Sequence, residues 1–330
     1  MRMTDAVITW VNASDPKWLN KKRAFMLNSE APIEADMDSD ERYRDYGTLK
    51  YLLRSIECNM PWLKNIYLIT DDQIPEWLDI ENEKLKVIDH TDYMDAQSLP
   101  TFNSNAIELN INKIEELDEQ FILFNDDQLV STKTTEADFF VDGVPTDFRI
   151  YDTLLPEESF DHIIINNIKI INQLFYQDRK RRKLKNLINP MYGRFMVRSL
   201  ISSYFPGVST YYNPHSPQPL LKSTIDRLWQ VAEDEMTATS RHHIRDESDI
   251  NIWLARYLQL ETNQFKATTP KRSVFYKLDE IEKIKMDIQN GQHQLLCIND
   301  TTTENYEELT KQLIDQLEDK FPNKSQFELN

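Results

Sequence analysis

Short apolar runs recur along the first half of the chain and alternate with stretches whose apolar residues have helical spacing. Between two such runs, leucine and isoleucine residues at 49, 52, 53 and 56 fall at i, i+3, i+4 and i+7, the stripe of a helix packed on a sheet. Strand, helix and strand in units of about 30 residues indicate a parallel βαβ arrangement. The strands predicted in this part of the chain are 5–11, 65–70 and 85–90.

A fourth apolar run, Phe121–Phe124, ends on Asn125, Asp126 and Asp127. Four consecutive apolar residues predict a strand buried on both faces, as in parallel sheets covered by helices. Ligands of open α/β sheets collect outside the carboxyl ends of the strands, so this turn is a candidate site. Two neighbouring carboxylates repel each other, and a divalent cation would relieve that repulsion. The alternative is a polar turn that simply ends the strand.

The second half of the chain has mainly helical patterns, at 160–188, 223–231, 250–260 and 306–317, together with a short apolar run at 294–300 that again ends in Asn-Asp. We predict an α/β fold with a mostly parallel sheet covered by helices and a more helical carboxyl-terminal half that completes the site. The halves are placed at 1–145 and 146–330, with the strand at 294–300 returning to the core. One continuous catalytic domain is the alternative.

Composition excludes several classes of function. With 38 Lys and Arg against 55 Asp and Glu, the net charge of -17 argues against nonspecific binding of nucleic acid or anionic lipid. Gly is scarce at 5 residues, and neither GxGxxG nor GxxxxGK[ST] occurs, so dinucleotide and P-loop sites are not expected. The two cysteines, Cys58 and Cys297, lack metal-ligand spacing and are predicted to be buried free thiols.

Free thiols suit a reducing compartment, and the sequence shows neither a leader nor an apolar run long enough for a membrane span. The expected location is therefore cytoplasmic, with the inner face of the cytoplasmic membrane left open. The acidic segment 29–42 is interpreted as a solvated loop or flap. The basic block Arg179–Lys185 is interpreted as a solvated helix end, the alternative being contact with an anionic acceptor chain or a membrane surface.

Several motifs occur in a fixed order along the chain: Trp10–Asp15, Arg44-Asp45 with 52–57, Pro61-Trp62, Leu99–Glu108 and Phe124–Asp127, with looser matches at 215–217, 239–249 and 297–300. Together they resemble the Stealth family of sugar-phosphate transferases. That family includes bacterial capsular-polysaccharide hexose-1-phosphate transferases and the catalytic part of the Golgi N-acetylglucosamine-1-phosphotransferase. The resemblance is densest over 5–143.

The resemblance implies a Rossmann-like or GT-A-like sheet. The half of the chain that contains this sheet would bind a nucleotide sugar and a metal, and the second half would bind the acceptor and phosphate. It implies transfer of a sugar 1-phosphate from a UDP-sugar, such as UDP-N-acetylglucosamine or another UDP-hexose, to a hydroxyl of a glycan acceptor. UMP would be released, in capsular or cell-surface polysaccharide synthesis. Peripheral association with a membrane-bound polysaccharide assembly complex and a homodimer are left open.

The resemblance also assigns the site. Asp126, Asp127 and Asp300 would bind Mg²⁺ or Mn²⁺, which prefer oxygen ligands. Asp127 is also the candidate base for the acceptor hydroxyl, and it can exchange roles with Asp126. Arg245 would grip phosphate oxygens, and His215 would donate to a phosphoryl oxygen or assist proton transfer. The residues expected to bind the donor are Trp10, Val11, Asn12, Asp15, Arg44, Asp45, Arg54, Asn103, Ser104, Asn105, Asn125 and Asp249.

Each assignment has an alternative. His215, among prolines, is also typical of a histidine that fixes a loop through a hydrogen bond, and Arg245 with Asp249 four residues later would form an ion pair if they lie on a helix. His242 and His243 lie within the 239–249 block but correspond to no clear position of the family, and they are left out of the site. Two other functions remain open: a metal-dependent glycosyltransferase that releases UDP, and a non-enzymatic nucleotide-sugar-binding component of a polysaccharide assembly complex.

Overall fold

The computed structural model describes residues 3–28, 38, 43–175, 188–204, 207–300, 303 and 305–329. The strands of these residues are β1 (Thr4–Thr9), β2 (Ile66–Thr70), β3 (Leu85–Asp89), β4 (Gln120–Asn125), β5 (Gln128–Val130), β6 (Phe140–Val141), β7 (Val144–Asp147), β8 (Tyr151–Asp152), β9 (Thr210–Tyr211), β10 (Gln218–Leu221), β11 (Lys266–Ala267), β12 (Ser273–Lys277) and β13 (Leu295–Asn299). The α-helices are α1 (Pro16–Asn28), α2 (Thr48–Asn59), α3 (Ser104–Leu109), α4 (Phe160–Phe175), α5 (Phe195–Ser203), α6 (Lys222–Val231), α7 (Glu233–Arg241), α8 (Trp253–Glu261), α9 (Ile281–Asn290) and α10 (Tyr306–Lys320).

Two segments singled out in the sequence fall outside this description. The acidic segment 29–42 lies outside the described residues except for Asp38, and the basic block Arg179–Lys185 lies outside them entirely. Their interpretations stay predictions.

The main sheet has five strands in the order β10-β4-β1-β2-β3. β1 pairs in parallel with both β2 and β4, so Ile8 lies opposite Leu68 on one side and Phe124 on the other. β3 continues the parallel pairing beyond β2, while β10 pairs antiparallel with β4. The prediction of an α/β fold with a mostly parallel sheet covered by helices is confirmed.

Helices cover both faces of this sheet because successive residues of a strand point to opposite sides. Val7 and Phe121 belong to one apolar cluster, which packs against α3, α4, α6 and α8. Ile8 and Phe124 belong to a second cluster, which packs against α2. Burial on both faces explains why the central strands are apolar throughout rather than alternating.

A smaller sheet brings the carboxyl-terminal part of the chain to the carboxyl edge of the main sheet. β13 lies between β12, which it pairs with in parallel, and β5, which follows directly after the Asn125–Asp127 turn. α9 and α10 pack against this small sheet through Ile284 and Leu313. The predicted strand at 294–300 therefore forms and reaches the candidate site. None of the helices in the described ranges has the length and apolar character needed to cross a membrane.

Two helices are shorter than their apolar patterns predict, because hydrogen bonds of side chains hold the residues at their ends. The spacing of Ile107, Ile111 and Ile114 predicts one helix through all three, but α3 ends at Leu109, where the side-chain amide of Asn110 donates to Ala106 O and Ser240 Oγ. The helix expected from Ile250 begins at Trp253. Side-chain groups hold the residues before it, since Thr239 Oγ1 accepts from the Ile250 amide.

The cysteine prediction is half right. Cys297 is a buried free thiol, but Cys58 is exposed, so its expected burial is wrong. Cys58 lies two residues after Ile56, which places it about 200° around α2 from the apolar stripe.

Candidate active site

The carboxyl ends of β1 and β4 form the crevice where the sheet reverses direction. From β1 the chain builds outward through β2 and β3, and it then returns to the other side of β1 to form β4. In open α/β sheets this reversal point is where ligands bind. Thr9 pairs with Asn125 at this edge, so the loop after β1 and the Asn-Asp-Asp turn after β4 lie side by side.

The Asp126–Asp127 turn is fixed to β13 through Asp127. The carbonyl oxygen of Asp127 accepts from the Ile298 amide at 2.9 Å, and the Cys297 thiol donates to Asp127 Oδ2 at 3.3 Å. The other carboxylate oxygen, Oδ1, is buried without a hydrogen-bond partner among the described residues. Burial raises the pKa of Asp127 to about 6, and burial together with repulsion from Asp127 and Asp45 raises the pKa of Asp126 well above its usual value.

Asp45 and Asp300 complete a group of four acidic side chains with Asp126 and Asp127, here called the carboxylate cluster. Three of them lie near Tyr46, since burial and the charges of Asp127, Asp126 and Asp300 raise the pKa of that phenol well above its usual value, and Asp45 precedes Tyr46 in the chain. Arg44 Nη1 lies 3.2 Å from Asp300 Oδ2. Burial also raises the pKa of Asp45. The cluster therefore concentrates negative charge that its protein surroundings balance only in part.

The cluster fits a divalent cation in its chemistry, although it does not form a complete protein cage. The unpartnered Asp127 Oδ1 and the raised pKa of Asp126 are what a site prepared for a cation would have. Within the described ranges, no three Asp, Glu, His or Cys side chains converge on one coordination point. Mg²⁺ is commonly held by one or two carboxylates, the remaining ligands being water and substrate phosphates. Asp126 and Asp127 suit that arrangement, and Asp300 stays a predicted third ligand.

His215 lies beside this turn, although it comes from the second half of the chain. Its carbonyl oxygen accepts from Gln128 Nε2 at 2.7 Å, while Gln128 Oε1 accepts from the Asn125 amide at 3.1 Å. The imidazole packs edge-on against Trp253, with ring centroids 4.8 Å apart, and at a tilt against Phe275, with ring centroids 5.1 Å apart. Burial lowers the pKa of His215 to about 4, so the ring is neutral at physiological pH.

Arg245 lies at the start of α3 rather than on a helix of its own. Its Nη2 donates to Ser104 Oγ at 2.6 Å. Residues 242–252 are not helical, so the ion pair between Arg245 and Asp249 that a helix would produce is not formed. Asp249 instead accepts from Asn103 Nδ2 at 2.8 Å and from Asn105 Nδ2 at 3.2 Å.

His242 completes this second group of polar side chains. Its Nδ1 lies 2.6 Å from Asp249 Oδ1, and this hydrogen bond raises the pKa of His242. Asp249 and Asn103 are fully buried. We call Asn103, Asn105, His242 and Asp249 the Asp249 network. It fixes the 242–249 loop to the start of α3 and thereby holds Arg245 beside Ser104.

The loop at 43–46 connects the two groups. Tyr43 donates to the carbonyl oxygen of Phe102, next to the Asp249 network, and its own carbonyl accepts from the Ala13 amide. At the other end of the loop, Tyr46 donates to the carbonyl of Ile298 at 2.5 Å, beside the carboxylate cluster. The first loop, the Ser104 region and the carboxylate cluster are thus held in one frame.

The remaining predicted donor-binding residues divide between the crevice and other places. Asn12 and Asp15 lie in the loop after β1, where Gln73 donates to Asn12 O at 2.8 Å and to Asp15 Oδ2 at 3.2 Å. Val11 packs with aromatic side chains of neighbouring segments, and the Trp10 indole lies near Asp45.

Arg54 is engaged elsewhere. Its guanidinium is buried on α2 and bonds Glu328 at 2.7 and 2.9 Å and Glu318 at 2.9 Å. Its nitrogens are therefore taken up by the carboxyl-terminal segment, and the geometry gives no support to its expected place in the donor site.

Four further residues shape the site: Tyr46, Gln73, Gln128 and His242. Tyr46 and Gln128 adjoin acidic motifs that were recognised, but a glutamine or tyrosine beside a motif carries no signal of its own. Gln73 follows β2 directly and could have been found from its position at the carboxyl edge. His242 corresponds to no position of the family motifs, and its bond to Asp249, seven residues away, depends on a loop conformation that the sequence does not reveal.

The fold and the site together define a class: α/β proteins whose acidic candidate site lies at the carboxyl edge of a mostly parallel sheet. Residues 42–147 match the model for conserved region 2 of Stealth proteins, and residues 5–30 match the model for conserved region 1.

Relatives extend over the whole chain. It is 40% identical to the exopolysaccharide phosphotransferase cps2G of Lactiplantibacillus plantarum, covering 98% of this chain and 96% of the relative. It is 36% identical to the capsular polysaccharide phosphotransferase WcwK of Streptococcus pneumoniae, covering 98% of both. It is 33% identical to the receptor polysaccharide phosphotransferase WefC of Streptococcus oralis over 100% of both chains. The chain belongs to the Stealth family and is a phosphotransferase, which confirms the resemblance drawn from its motifs.

Proposed function

We propose that this enzyme transfers a sugar 1-phosphate from a UDP-sugar to a hydroxyl of a glycan acceptor in the synthesis of a capsular or extracellular polysaccharide. The relatives are named as phosphotransferases of such polysaccharides, which supports the reaction class. The observation that carries the proposal is the carboxylate cluster at the crevice, with Asp127 Oδ1 unpartnered in the described part of the chain and the pKa values of Asp126 and Asp127 raised.

The reaction is a displacement at the β-phosphorus of the donor. The acceptor hydroxyl oxygen forms the new bond to this phosphorus, and the bond from the β-phosphorus to the bridging oxygen breaks, so UMP leaves with that oxygen. The proton of the hydroxyl passes to a carboxylate, for which Asp127 is our candidate. Its pKa of about 6 lies close enough to neutrality for it to accept a proton and then release it.

Charge on the transferred phosphoryl group needs donors from more than one side. Arg245 offers a planar fork for two phosphoryl oxygens, and its bond to Ser104 holds it in position. His215 is a neutral imidazole and can donate one hydrogen bond without adding charge. A Mg²⁺ or Mn²⁺ ion bound by Asp126 and Asp127 would neutralise diphosphate charge.

The nucleotide product is the sharpest test. The purified enzyme, a panel of UDP-sugars and an acceptor glycan from the producing strain should yield UMP and a glycan phosphodiester that retains phosphorus, seen by ³¹P NMR. A metal-dependent glycosyltransferase would instead release UDP and give a phosphate-free glycosidic product. That outcome would overturn the proposed phosphotransfer.

Chelation tests the cation separately. We expect turnover to stop in excess EDTA and to return with Mg²⁺ or Mn²⁺, because a diphosphate beside Asp126 and Asp127 needs neutralisation. In excess EDTA, the affinity for UDP should fall more than the affinity for UMP, because UMP carries less charge than UDP. Full turnover in excess chelator would contradict the cation and leave the product assignment intact.

A further inference from the structure

Two buried polar side chains at the carboxyl ends of β2 and β3 each have one polar atom without a hydrogen-bond partner among the described residues. Asp71 follows β2, and His90 follows β3; their side chains are only 5% and 6% exposed. Asp71 Oδ2 and His90 Nδ1 have no hydrogen-bond partner within the ranges that the structure describes. Buried polar atoms are nearly always paired, so these two mark a place where a further group is expected.

The two side chains face each other. His90 Nδ1 lies 4.0 Å from Asp71 Oδ1, and Lys21 binds that same Oδ1 from α1. Asp71 therefore has one oxygen engaged and one available. Burial lowers the pKa of His90, against the opposing effect of Asp71 and Asp89, so the imidazole is neutral and has one donor and one acceptor nitrogen.

This pair lies on the opposite side of the crevice from the carboxylate cluster. The strand order β4-β1-β2-β3 puts the cluster at the end of β4 and the pair beyond β1. Gln73 joins the two loops between them, since its side chain exchanges hydrogen bonds with the backbone of Asn12 at 3.0 and 2.8 Å. A nucleotide that lies across this crevice with its phosphates at the β4 side would have its base on the side of β2 and β3.

We propose that Asp71 and His90 form the base-recognition subsite of the nucleotide donor and that Asp71 Oδ2 accepts a hydrogen bond from the ring N–H of a uracil-type base. This inference rests on the proposed use of a nucleotide-sugar donor. Uracil presents an N–H between two carbonyl oxygens, so it can donate to Asp71 while accepting from a neighbouring donor. Cytosine has a lone pair at the same ring nitrogen, which would face the carboxylate unfavourably.

The ligand side gives a test that needs no variant. Binding of UMP, CMP and 3-methyluridine 5′-monophosphate to the wild-type enzyme should be measured by isothermal titration calorimetry. We expect UMP to bind about tenfold or more tightly than either of the others, because CMP and the methylated base lack the ring N–H. Equal affinity for UMP and its 3-methyl derivative would overturn the assignment.

The protein side uses Asp71→Asn, with Asp72→Asn as the matched control. Asp72 is the exposed neighbour, and its φ of 54° is a backbone conformation that Asn tolerates. Asp71→Asn should weaken UMP binding by about tenfold and reduce the preference over CMP, while the control retains both. Unchanged UMP affinity and base preference in Asp71→Asn would refute the role of Asp71.

The outcomes separate this inference from the proposed function. If the enzyme releases UMP from a UDP-sugar but does not distinguish UMP from CMP and its methylated analogue, the subsite is wrong and the reaction stands. If no uridine nucleotide binds and no UDP-sugar is consumed, the proposed function fails. Melting temperatures of both variants show whether a loss of binding comes from misfolding, and in that case the ligand series on the wild-type enzyme decides.

Discussion

The carboxylate cluster and the Asp249 network both place aspartates in buried surroundings, but they treat the charge in opposite ways. In the Asp249 network, Oδ1 pairs with His242, and Oδ2 accepts from Asn103, Asn105 and the Asp246 amide. In the carboxylate cluster, one oxygen of Asp127 has no partner among the described residues, and the pKa of Asp126 is raised well above its usual value.

We infer that this difference separates a carboxylate that serves folding from one that serves ligand binding. A buried charge with all its hydrogen bonds stabilises one loop conformation, because each donor would be left unpaired if the loop moved. A buried charge without them costs free energy until a proton, a cation or a substrate group arrives, which is typical of functional sites. Substitutions in the two regions should therefore have opposite effects on stability and activity.

Asp126→Asn should have the largest effect on activity. The amide lacks the charge that holds a cation, so we expect kcat to fall by ~10³-fold in the UMP-release assay, with little change in fold. The melting temperature should stay the same or rise, because the substitution removes repulsion with Asp127 and Asp45.

The matched control is Asp142→Asn, an exposed turn residue with a φ of 55° that pairs with Lys266 at the surface. It should leave both activity and stability near wild type. A large loss of stability in Asp126→Asn would show that its carboxylate serves the fold, and the contrast with the Asp249 network would disappear.

Arg245→Lys should have the next largest effect. A single ammonium cannot reproduce the planar fork at a phosphoryl group, so we expect kcat to fall by ~10²-fold or more. Stability should change little, since the residue is only half-buried and donates to Ser104 through Nη2 alone among its described hydrogen bonds. Arg198→Lys, at an exposed ion pair with Asp152, is the control. Retained kcat with Lys at 245 would remove Arg245 from the phosphate site.

Much of the fold could be predicted from hydrophobic spacing. The parallel strands and α2 were identified because runs buried on both faces and i, i+3, i+4 stripes are local in the sequence. The loop at 242–252, whose last three residues were predicted to be helical, could not be derived from the sequence. Its conformation depends on bonds to residues far away in sequence, such as Asn103 and Asn167.

The site was predicted unevenly for the same reason. The order of the motifs and the residue types in them identified Asp126, Asp127 and Arg245. In the structure, Asp126 and Asp127 lie at the crevice, and Arg245 lies at the start of α3. Their predicted roles await experiment. Arg54 looked similar in the sequence, but its guanidinium bonds Glu318 and Glu328. Long-range ion pairs of this kind leave no pattern in one sequence.

Asp249→Ala tests the other side of the comparison and should act mainly on stability. Removing this buried carboxylate leaves the amides of Asn103 and Asn105 without their shared acceptor, so we expect a loss of about 3 kcal/mol in the free energy of unfolding by urea. Activity should fall as well, because Arg245 loses its anchored loop. Asp246→Ala, an exposed position in the same loop, should cost far less. Equal stability of the two variants would show that the network does not hold the fold.

Glu108→Gln should give the smallest effect of these substitutions. It tests whether a buried carboxyl group in α3 lowers stability when it loses its proton. Burial raises the pKa of Glu108 to about 7, although the positive charge of Arg245 acts in the opposite direction. Between pH 4.5, near its ordinary pKa, and pH 7 the folded state holds the proton more tightly than the unfolded state, so the stability of the wild type falls as pH rises through this window. The amide cannot ionise and removes that contribution. The variant should therefore melt a few degrees higher than the wild type at pH 8 and at nearly the same temperature at pH 5. A difference in melting temperature that does not vary with pH would show that Glu108 does not titrate in this range.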